Sequence, residues 1–227
     1  MPSLVSDFVA EYGQLLADGT LATIVMTLLP TAVSYVIGLA LGVVLYLTAP
    51  GSLRPAPDLN AALGWVVNIL RSFPFIVLMV FIIPFTRAVM GTGSGLAGIV
   101  PPLVIATAPF IARMVEQSLA EVPRESVEAA EACGASVPRI VLSVLLPEAL
   151  PSIVRGVAVV LIAVLGYTAM AGAIGAGGLG DIAVRYGYYR RVDEVMVVAV
   201  VVLVVIVQVI QSVCDLAARK VDHRSQG

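Results

Sequence analysis

IVRGVAVVLIAVLGYTAMAGAI, at residues 153–174, is the stretch that decides the fold class of this chain. Its single charged residue is Arg155, close to its beginning. A buried strand is usually about 5 or 6 residues long, whereas a helix needs about 20 residues, rising about 1.5 Å each, to cross a hydrocarbon core of roughly 30 Å. The length and composition of the stretch therefore predict a membrane-spanning helix.

The next segment, GAGGLG at residues 175–180, contains the pattern G-x-G-x-x-G. In nucleotide-binding proteins this pattern follows a short strand and opens a helix, so that backbone N–H groups face the phosphates. Here a run of membrane-spanning length stands where that strand would be. We therefore expect Gly175, Gly177 and Gly180 to let the chain turn sharply at the membrane surface. A membrane-bound nucleotide enzyme stays as an alternative.

The composition of the whole chain agrees with a membrane protein. Of its 227 residues, 59% are hydrophobic and 12% are charged, and the mean hydropathy is +1.02. A soluble domain of this size could not bury so much apolar surface. Cys133 and Cys214 fit neither a disulfide framework nor a metal spacing, and no cluster pairs a nucleophile with a base. We expect no catalytic residue, no metal site and no nucleic-acid partner in this chain.

The apolar segments predict an all-α protein with five spans in one transmembrane domain, residues 1–227. The predicted spans are residues 21–47, 72–90, 96–119, 153–174 and 195–216. The residues before the first span carry Asp7, Glu11 and Asp18, and they indicate a short acidic tail.

Basic residues favour the cytoplasmic side of short loops, and their distribution predicts the orientation. With the N-terminus outside, the basic residues on or near the inner face are Arg54, Arg113, Arg124, Arg139, Arg155, Arg219, Lys220 and Arg224. Fewer lie on the outer face, namely Arg87, Arg185, Arg190 and Arg191. An odd number of spans then puts the C-terminus in the cytoplasm, so we expect a multi-pass protein of the inner membrane.

One substantial segment, residues 122–147, joins the third and fourth predicted spans on the inner face. Its sequence predicts a helix, a turn and a second helix. The first helix begins near Pro123 and ends at Gly134, where glycine favours a helix stop. The second begins at Ser136, a candidate N-cap, and is limited by Pro147. The first helix presents a smooth face of small residues, namely Ala129, Ala132 and Cys133.

The same segment carries a pattern known from one family. The spacing E-A-A-x3-G-x5-I-x5-L-P is matched at Glu128, Ala129, Ala130, Gly134, Ile140, Leu146 and Pro147. It resembles the EAA loop of the permeases of ABC importers. The resemblance implies a short cytoplasmic coupling helix that docks into a groove on an ATPase subunit. It also implies that ATP and Mg²⁺ belong to that partner and that this chain has no cofactor of its own.

The resemblance extends along most of the chain. The segments NILRSFPFIVLMVFIIPFTR, APFIARMVE, LLPEALP and GYTAMAGAIGAGGLG are similar to the permeases of methionine-uptake ABC transporters. That family implies a type I importer permease fold and a homodimer that works with two ATPase subunits, an external methionine-binding protein and the membrane lipid. It implies the import of methionine, in its L and D forms, by alternating access. The alternatives are a permease for another small amino acid and a self-sufficient channel or carrier.

Further candidate residues lie beyond the coupling segment. Met170, with Tyr167 and Thr168 nearby, is expected to line the translocation gate, because a flexible thioether suits a narrow path between small residues. The alternative for Met170 is ordinary packing. Arg113 and Glu116, one turn apart, are expected to satisfy each other.

Three outer arginines, Arg185, Arg190 and Arg191, are expected to dock the binding protein. The alternative is that they reach lipid headgroups. The glycines of residues 175–180 are expected to present a low-profile surface to the same partner, and Tyr186, Tyr188 and Tyr189 fit an aromatic belt.

Overall fold

The structure, a computed structural model, describes the backbone of residues 2–221 and the side chains of residues 6–221. Its α-helices are Pro2–Thr48, Pro57–Ser72, Phe75–Phe81, Ile83–Met90, Gly95–Ala120, Arg124–Ala132, Val137–Ala173, Gly178–Ile182 and Asp193–Val221. Two segments have π-helical hydrogen bonding, Val141–Leu145, which lies inside Val137–Ala173, and Ala183–Tyr189. No strand occurs in the described part of the chain, and the predicted all-α class is confirmed.

Four helices are long and apolar enough to span a membrane. They are Ser6–Thr48, Gly95–Ala120, Val137–Ala173 and Asp193–Val221, and we call them the first, third, fourth and fifth spans. A second apolar segment is interrupted, because Pro57–Ser72 and Phe75–Phe81 pass the same test only as a pair. The described residues therefore hold four spans, or five when the interrupted pair is counted as one.

The interrupted segment differs from its sequence prediction. The prediction placed a span at residues 72–90 and omitted Pro57–Ser72, which we call the Trp65 helix. Polar residues in this helix lower its hydropathy, namely Asp58, Asn60, Asn68 and Arg71. The break falls at Phe73, whose backbone is extended (φ −73°, ψ 128°). A proline at the next position disfavours helical backbone at Phe73, which explains the break.

The helix of the first span begins at Pro2, well before the predicted beginning at residue 21. The expected acidic tail is therefore helical from its second residue. Leu16 explains the extension, because its buried side chain belongs to a cluster with Leu179 and Val195. Such contacts between distant parts of the chain are not visible in a hydropathy profile.

The chain folds into two compact units, each assembled from segments that are far apart in sequence. The first consists of residues 2–32, Pro74–Val104 and Leu161–Ile210, and the second of Val33–Phe73, Ile105–Val160 and residues 211–221. The first unit has a buried apolar cluster of Leu16, Leu179, Ile182, Ala183, Val195 and Ala199. The second unit has a smaller one of Leu45, Val67 and Ala112.

Two glycines of the first span bring it close to the third span within the second unit. A Cβ atom on Gly38 would lie 2.6 Å from Ile111 Cβ and 2.8 Å from the carbonyl oxygen of Ala108. A Cβ atom on Gly42 would lie 2.6 Å from the carbonyl oxygen of Ala112. Small residues four apart let membrane helices approach to backbone contact, and these two positions have no room for a side chain.

The fourth span corrects one prediction. Pro147 was expected to limit the second helix of the segment 122–147, but the helix continues through Pro147 and Pro151 to Ala173. A π-helical turn at Val141–Leu145 comes directly before this proline. Its wider hydrogen-bonding pattern changes which carbonyls need a donor, so a residue without an N–H group is accommodated there. The second helix of the segment is therefore continuous with the fourth span, with no second turn between them.

Candidate functional site

The predicted coupling segment contains a well-defined short helix, Arg124–Ala132, which we call the coupling helix. It begins after Pro123, and Glu125 lies in its first turn, where the helix dipole favours an acidic residue. Its end at Ala132 is followed by Gly134, whose φ of +75° is in the left-handed region that favours glycine. The N–H of Ala135 donates to the carbonyl of Ala130 at 3.1 Å, which completes a Schellman-type end. The predicted helix stop at Gly134 is confirmed.

One side of the coupling segment is fixed and the other is open. Val127, Ile140 and Leu145 are buried, and they hold the segment against the rest of the second unit. Glu128 and Ala129 are exposed, and Ala130 is half-buried. The other small residues of this face, Ala132 and Cys133, are exposed as well. Of the remaining predicted positions, Gly134 and Pro147 are exposed and Leu146 is half-buried. A smooth exposed face on a fixed helix is the geometry that a partner groove requires.

An acidic cleft of about 480 Å³ opens beside the coupling helix. It lies between this helix, the end of the first span and the end of the third span. Its charged lining residues are Glu116, Arg124, Glu128 and Glu131. Arg124 Nη2 donates to the carbonyl of Gly51 at 3.5 Å and ties the beginning of the coupling helix to the turn after the first span. The cleft can therefore accept a basic side chain from a partner.

The three residues predicted for the gate do not lie in one environment. Met170 is 50% exposed, and Gly166, one turn before it on the same face, is also exposed. Tyr167 is half-buried and stacks on Phe75, with ring centroids 4.5 Å apart and an interplanar angle of 16°. Thr168 is buried and donates to the carbonyl of Leu165 at 2.8 Å. Met170 is the member of this set whose side chain is open to a neighbouring molecule.

The glycine-rich segment at residues 175–180 forms a turn and a close packing contact. Gly175 and Gly177 both have a φ of +92°, which glycine adopts without strain. The N–H of Leu179 donates to Thr23 Oγ1 at 2.8 Å and holds the following short helix against the first span. A Cβ atom on Gly172 would lie 2.8 Å from the carbonyl carbon of Gly180. The predicted sharp turn is confirmed, and the preceding element is a helix rather than a strand.

The three arginines predicted to dock a partner are all exposed, in the π-helical segment Ala183–Tyr189 and the turn after it. Arg185 forms an ion pair with Asp181 at 3.1 Å. The guanidinium of Arg190 lies 4.5 Å from the ring centroid of Tyr186, a cation–π contact. Arg191 has a positive φ of 57°, which is uncommon for a residue other than glycine. The structure therefore presents three guanidinium groups on one short surface segment.

The predicted Arg113–Glu116 pair is confirmed, and it has a further partner. Arg113 Nη1 lies 2.7 Å from Glu116 Oε2, and Arg113 Nη2 donates to the carbonyl of Gly64 at 3.2 Å. The arginine therefore joins the third span to the Trp65 helix. The spacing of three residues revealed the ion pair, but no local pattern could reveal a contact with a residue 49 positions away.

Two serines that the sequence did not single out also form a contact between spans. Ser118 Oγ donates to Ser152 Oγ at 3.0 Å, and Ser152 Oγ donates to Glu121 Oε2 at 3.1 Å. Ser118 and Glu121 lie at the end of the third span, and Ser152 lies in the fourth. Serine is common in helices of this kind, so only the fold distinguishes these two from the others.

Long apolar helices together with an exposed short helix between two of them define the class as a multi-span membrane protein. The family model described as the inner membrane component of binding-protein-dependent transport systems matches residues 38–226. The chain belongs to this family, and the predicted resemblance to permeases of ABC importers is confirmed.

Individual relatives are similar over most of their length. The chain is 46% identical, over 97% of its length and 98% of the relative's, to a protein of Vibrio cholerae named probable D-methionine transport system permease protein MetI. It is 47% identical to the D-methionine transport system permease protein MetI of Escherichia coli K12, over 70% of this chain and 73% of the relative. A solved structure of the MetNI methionine ABC transporter, in an inward-facing conformation, contains a chain that is 45% identical to this one. The match has a TM-score of 0.92 and covers 94% of this chain and 99% of that one.

Proposed function

We propose that this chain is the permease subunit of an ATP-driven importer that moves methionine into the cytoplasm by alternating access. The observation that carries the proposal is the match to the inward-facing methionine transporter, with a TM-score of 0.92 and 45% identity over nearly the whole of both chains. Relatives named for D-methionine transport support the same substrate. At this level of identity, the shape of the path and the residues that line it are expected to be largely retained.

The coupling helix is proposed as the contact with an ATPase subunit that binds ATP and Mg²⁺. Its exposed small residues allow a groove of the ATPase to approach the helix backbone closely. Its buried Val127 holds the helix to the rest of the permease when the ATPase displaces it. A basic residue of the ATPase could enter the acidic cleft beside Glu128 and Glu131. The continuous helix Val137–Ala173, which is the fourth span, then carries displacement of the coupling helix into the membrane.

A homodimer is proposed to enclose the translocation path, with Met170 of each copy at the gate. The exposed Met170 side chain and the open surface at Gly166 are available to face a second copy. A thioether is flexible and polarizable, so two such side chains could close the path and move aside for an apolar substrate. Tyr167 supports this position through its stacking contact with Phe75, whereas Thr168 acts only within its own helix.

An external methionine-binding protein is proposed to dock on Arg185, Arg190 and Arg191 and the neighbouring glycine turn. With this surface on the outer side, we propose that the N-terminus lies outside and the C-terminus in the cytoplasm. The basic residues of the fifth span agree with this orientation, because Arg219 and Lys220 lie in its last turn. Arg224 and His223, which belong to the C-terminal tail, lie outside the described residues.

The direct test is uptake of radiolabelled methionine by proteoliposomes that contain this chain, the ATPase and the binding protein. We expect uptake that requires ATP and that unlabelled methionine abolishes by competition. Uptake by the chain alone would instead establish a self-sufficient carrier. Stronger competition by another small amino acid than by methionine would contradict the proposed substrate.

A further inference from the structure

The hydrogen-bonded chain of Ser118, Ser152 and Glu121 lies where the coupling segment leaves one span and enters the next. Ser118 and Glu121 belong to the last turn of the third span and the residue after it. Ser152 lies in the fourth span, beyond the coupling helix and the π-helical turn. The two bonds, at 3.0 Å and 3.1 Å, therefore close the base of the loop that carries the coupling helix.

Polar groups form most of the lining of the space beside these bonds. A small polar cavity of about 120 Å³ lies beside the bonds. Its lining includes Ser118, Glu121 and Ser152 together with Glu148 and Arg155. Ser118 itself is only 3% exposed, and the bond to Ser152 is the side-chain contact that its hydroxyl makes between the two helices. The bond from Ser152 to the Glu121 carboxylate is the exposed part of this chain, and the bond from Ser118 is the part-buried one.

We propose that Ser118, Ser152 and Glu121 form a clamp that stays closed throughout the transport cycle. The clamp makes the ends of the third and fourth spans move as one body with the coupling helix. A displacement of the coupling helix by an ATPase then reaches both spans, rather than being lost in relative sliding of the two helices. This inference rests on the proposed function, and it assigns a positioning role to three residues that do not touch substrate or nucleotide.

Ser152 is the residue to change first, because its hydroxyl takes part in both bonds. Ser152→Ala removes the one hydroxyl that accepts from Ser118 and donates to Glu121. Ser152→Thr keeps a hydroxyl at this position. In the reconstituted complex we expect Ser152→Ala to lower the amount of methionine transported per ATP hydrolysed at least threefold. Ser152→Thr should restore at least half of the normal ratio. Leu119 and Ala149 remain buried beside the site, which favours retention of the fold in both variants.

A matched control is Ser72→Ala. Ser72 is exposed and donates to the carbonyl of Asn68 within its own helix at 2.8 Å, so its hydroxyl joins no two helices. The ratio of transport to hydrolysis should not change in this variant. An equal ratio for Ser152→Ala and Ser72→Ala would overturn the clamp.

A cross-link tests whether the clamp stays closed, and it does not depend on how well Ser152→Ala folds. The Oγ atoms of Ser118 and Ser152 lie 3.0 Å apart, about 1 Å more than the length of an S–S bond. The variant Ser118→Cys/Ser152→Cys is made in a background in which Cys133 and Cys214 are replaced by serine. The reduced variant lacks both hydroxyls, and thiols are only weak donors and acceptors, so its transport per ATP should be low, as in Ser152→Ala. We expect oxidation, which closes the clamp covalently, to raise the methionine transported per ATP at least twofold. A tenfold loss on oxidation that reduction reverses would show that the helices must separate, and would overturn the proposal.

The uptake measurement distinguishes failure of the proposed function from failure of the clamp. If the unsubstituted complex takes up no methionine, the proposed function fails. If the unsubstituted complex takes up methionine and the oxidised cross-link abolishes uptake, the proposed function stands and the clamp fails.

Discussion

Met170, which we propose for the gate, gives the sharpest prediction at the scale of single residues. Its side chain is half exposed in one copy of the chain, whereas Thr168 is buried and bonded within its own helix. We expect Met170→Ala to leave assembly intact and to widen the narrowest part of the path. Methionine uptake should fall at least twofold while ATP hydrolysis without substrate stays the same or rises.

The comparison for this prediction is Met90→Ala, which removes another exposed methionine side chain, at the end of Ile83–Met90. Uptake and hydrolysis are measured in the same proteoliposomes for both variants. Met170→Ala with unchanged uptake and unchanged basal hydrolysis would remove Met170 from the gate and leave ordinary packing as its role.

The coupling helix and the Trp65 helix show what could be predicted at the scale of elements. Gly134 follows an alanine-rich helix and precedes a proline, so its stop signal is local and the sequence revealed it. The Trp65 helix was missed because its polar residues lower its hydropathy, and its place depends on Arg113 from another helix. Pro147 was misread for a similar reason, since the π-helical turn that accommodates it leaves no mark in the sequence pattern.

Close contacts between helices predict an order of stability for three glycine variants. A Cβ atom on Gly38 would meet backbone of Ala108 at 2.8 Å, and backbone cannot easily move. A Cβ atom on Gly64 would meet only Arg113 Nη2, at 2.9 Å, which is the end of a flexible side chain. Alanine gains about 1 kcal/mol of helix propensity over glycine, and overpacking typically costs about 1 to 3 kcal/mol.

We therefore expect Gly38→Ala to lower the thermal stability of the purified complex most. Gly64→Ala should lower it less, because the flexible end of the Arg113 side chain can move aside while it keeps the Glu116 pair. Gly13→Ala is the reference, because its new Cβ meets only Val9 of the same helix at 3.4 Å. The measurement is the melting temperature in detergent. Equal melting temperatures for Gly38→Ala and Gly13→Ala would contradict the close packing of the first and third spans.

The proposed docking surface gives a prediction at the scale of the whole molecule, because it concerns a separate partner. Replacing Arg185, Arg190 and Arg191 together by glutamine removes three positive charges from exposed positions. Exposed charges act over distance mainly at low ionic strength. We expect the triple variant to bind the external binding protein at least fivefold more weakly at low salt, with a smaller difference at high salt.

The measurement is equilibrium binding of the labelled binding protein to the complex in nanodiscs at two salt concentrations. Keeping the lipid composition constant separates docking from lipid contact. Unchanged binding together with a changed preference for anionic lipid would assign the arginines to headgroups instead.

Features that depend on consecutive residues could be predicted from the sequence, whereas contacts between distant residues could not. The class of the molecule, the coupling segment and the family could be predicted because apolar length and the EAA spacing are written in consecutive residues. The contacts that organise the spans could not, because Ser118 and Ser152 are 34 residues apart and Arg113 and Gly64 are 49 apart. No alternation or spacing marks such pairs before the helices are packed.

The proposal as a whole depends on the coupling helix seating in a nucleotide-hydrolysing partner. Ala129→Arg tests this contact directly, because Ala129 is exposed on the smooth face. A long side chain there would prevent the groove of the ATPase from approaching the helix. Ala61→Arg, at an exposed position of the Trp65 helix, adds the same side chain elsewhere. The measurement is the amount of ATPase that copurifies with each variant of the permease. We expect Ala129→Arg to lose at least nine-tenths of the ATPase while Ala61→Arg retains it, whereas equal retention by both variants would contradict coupling through this helix.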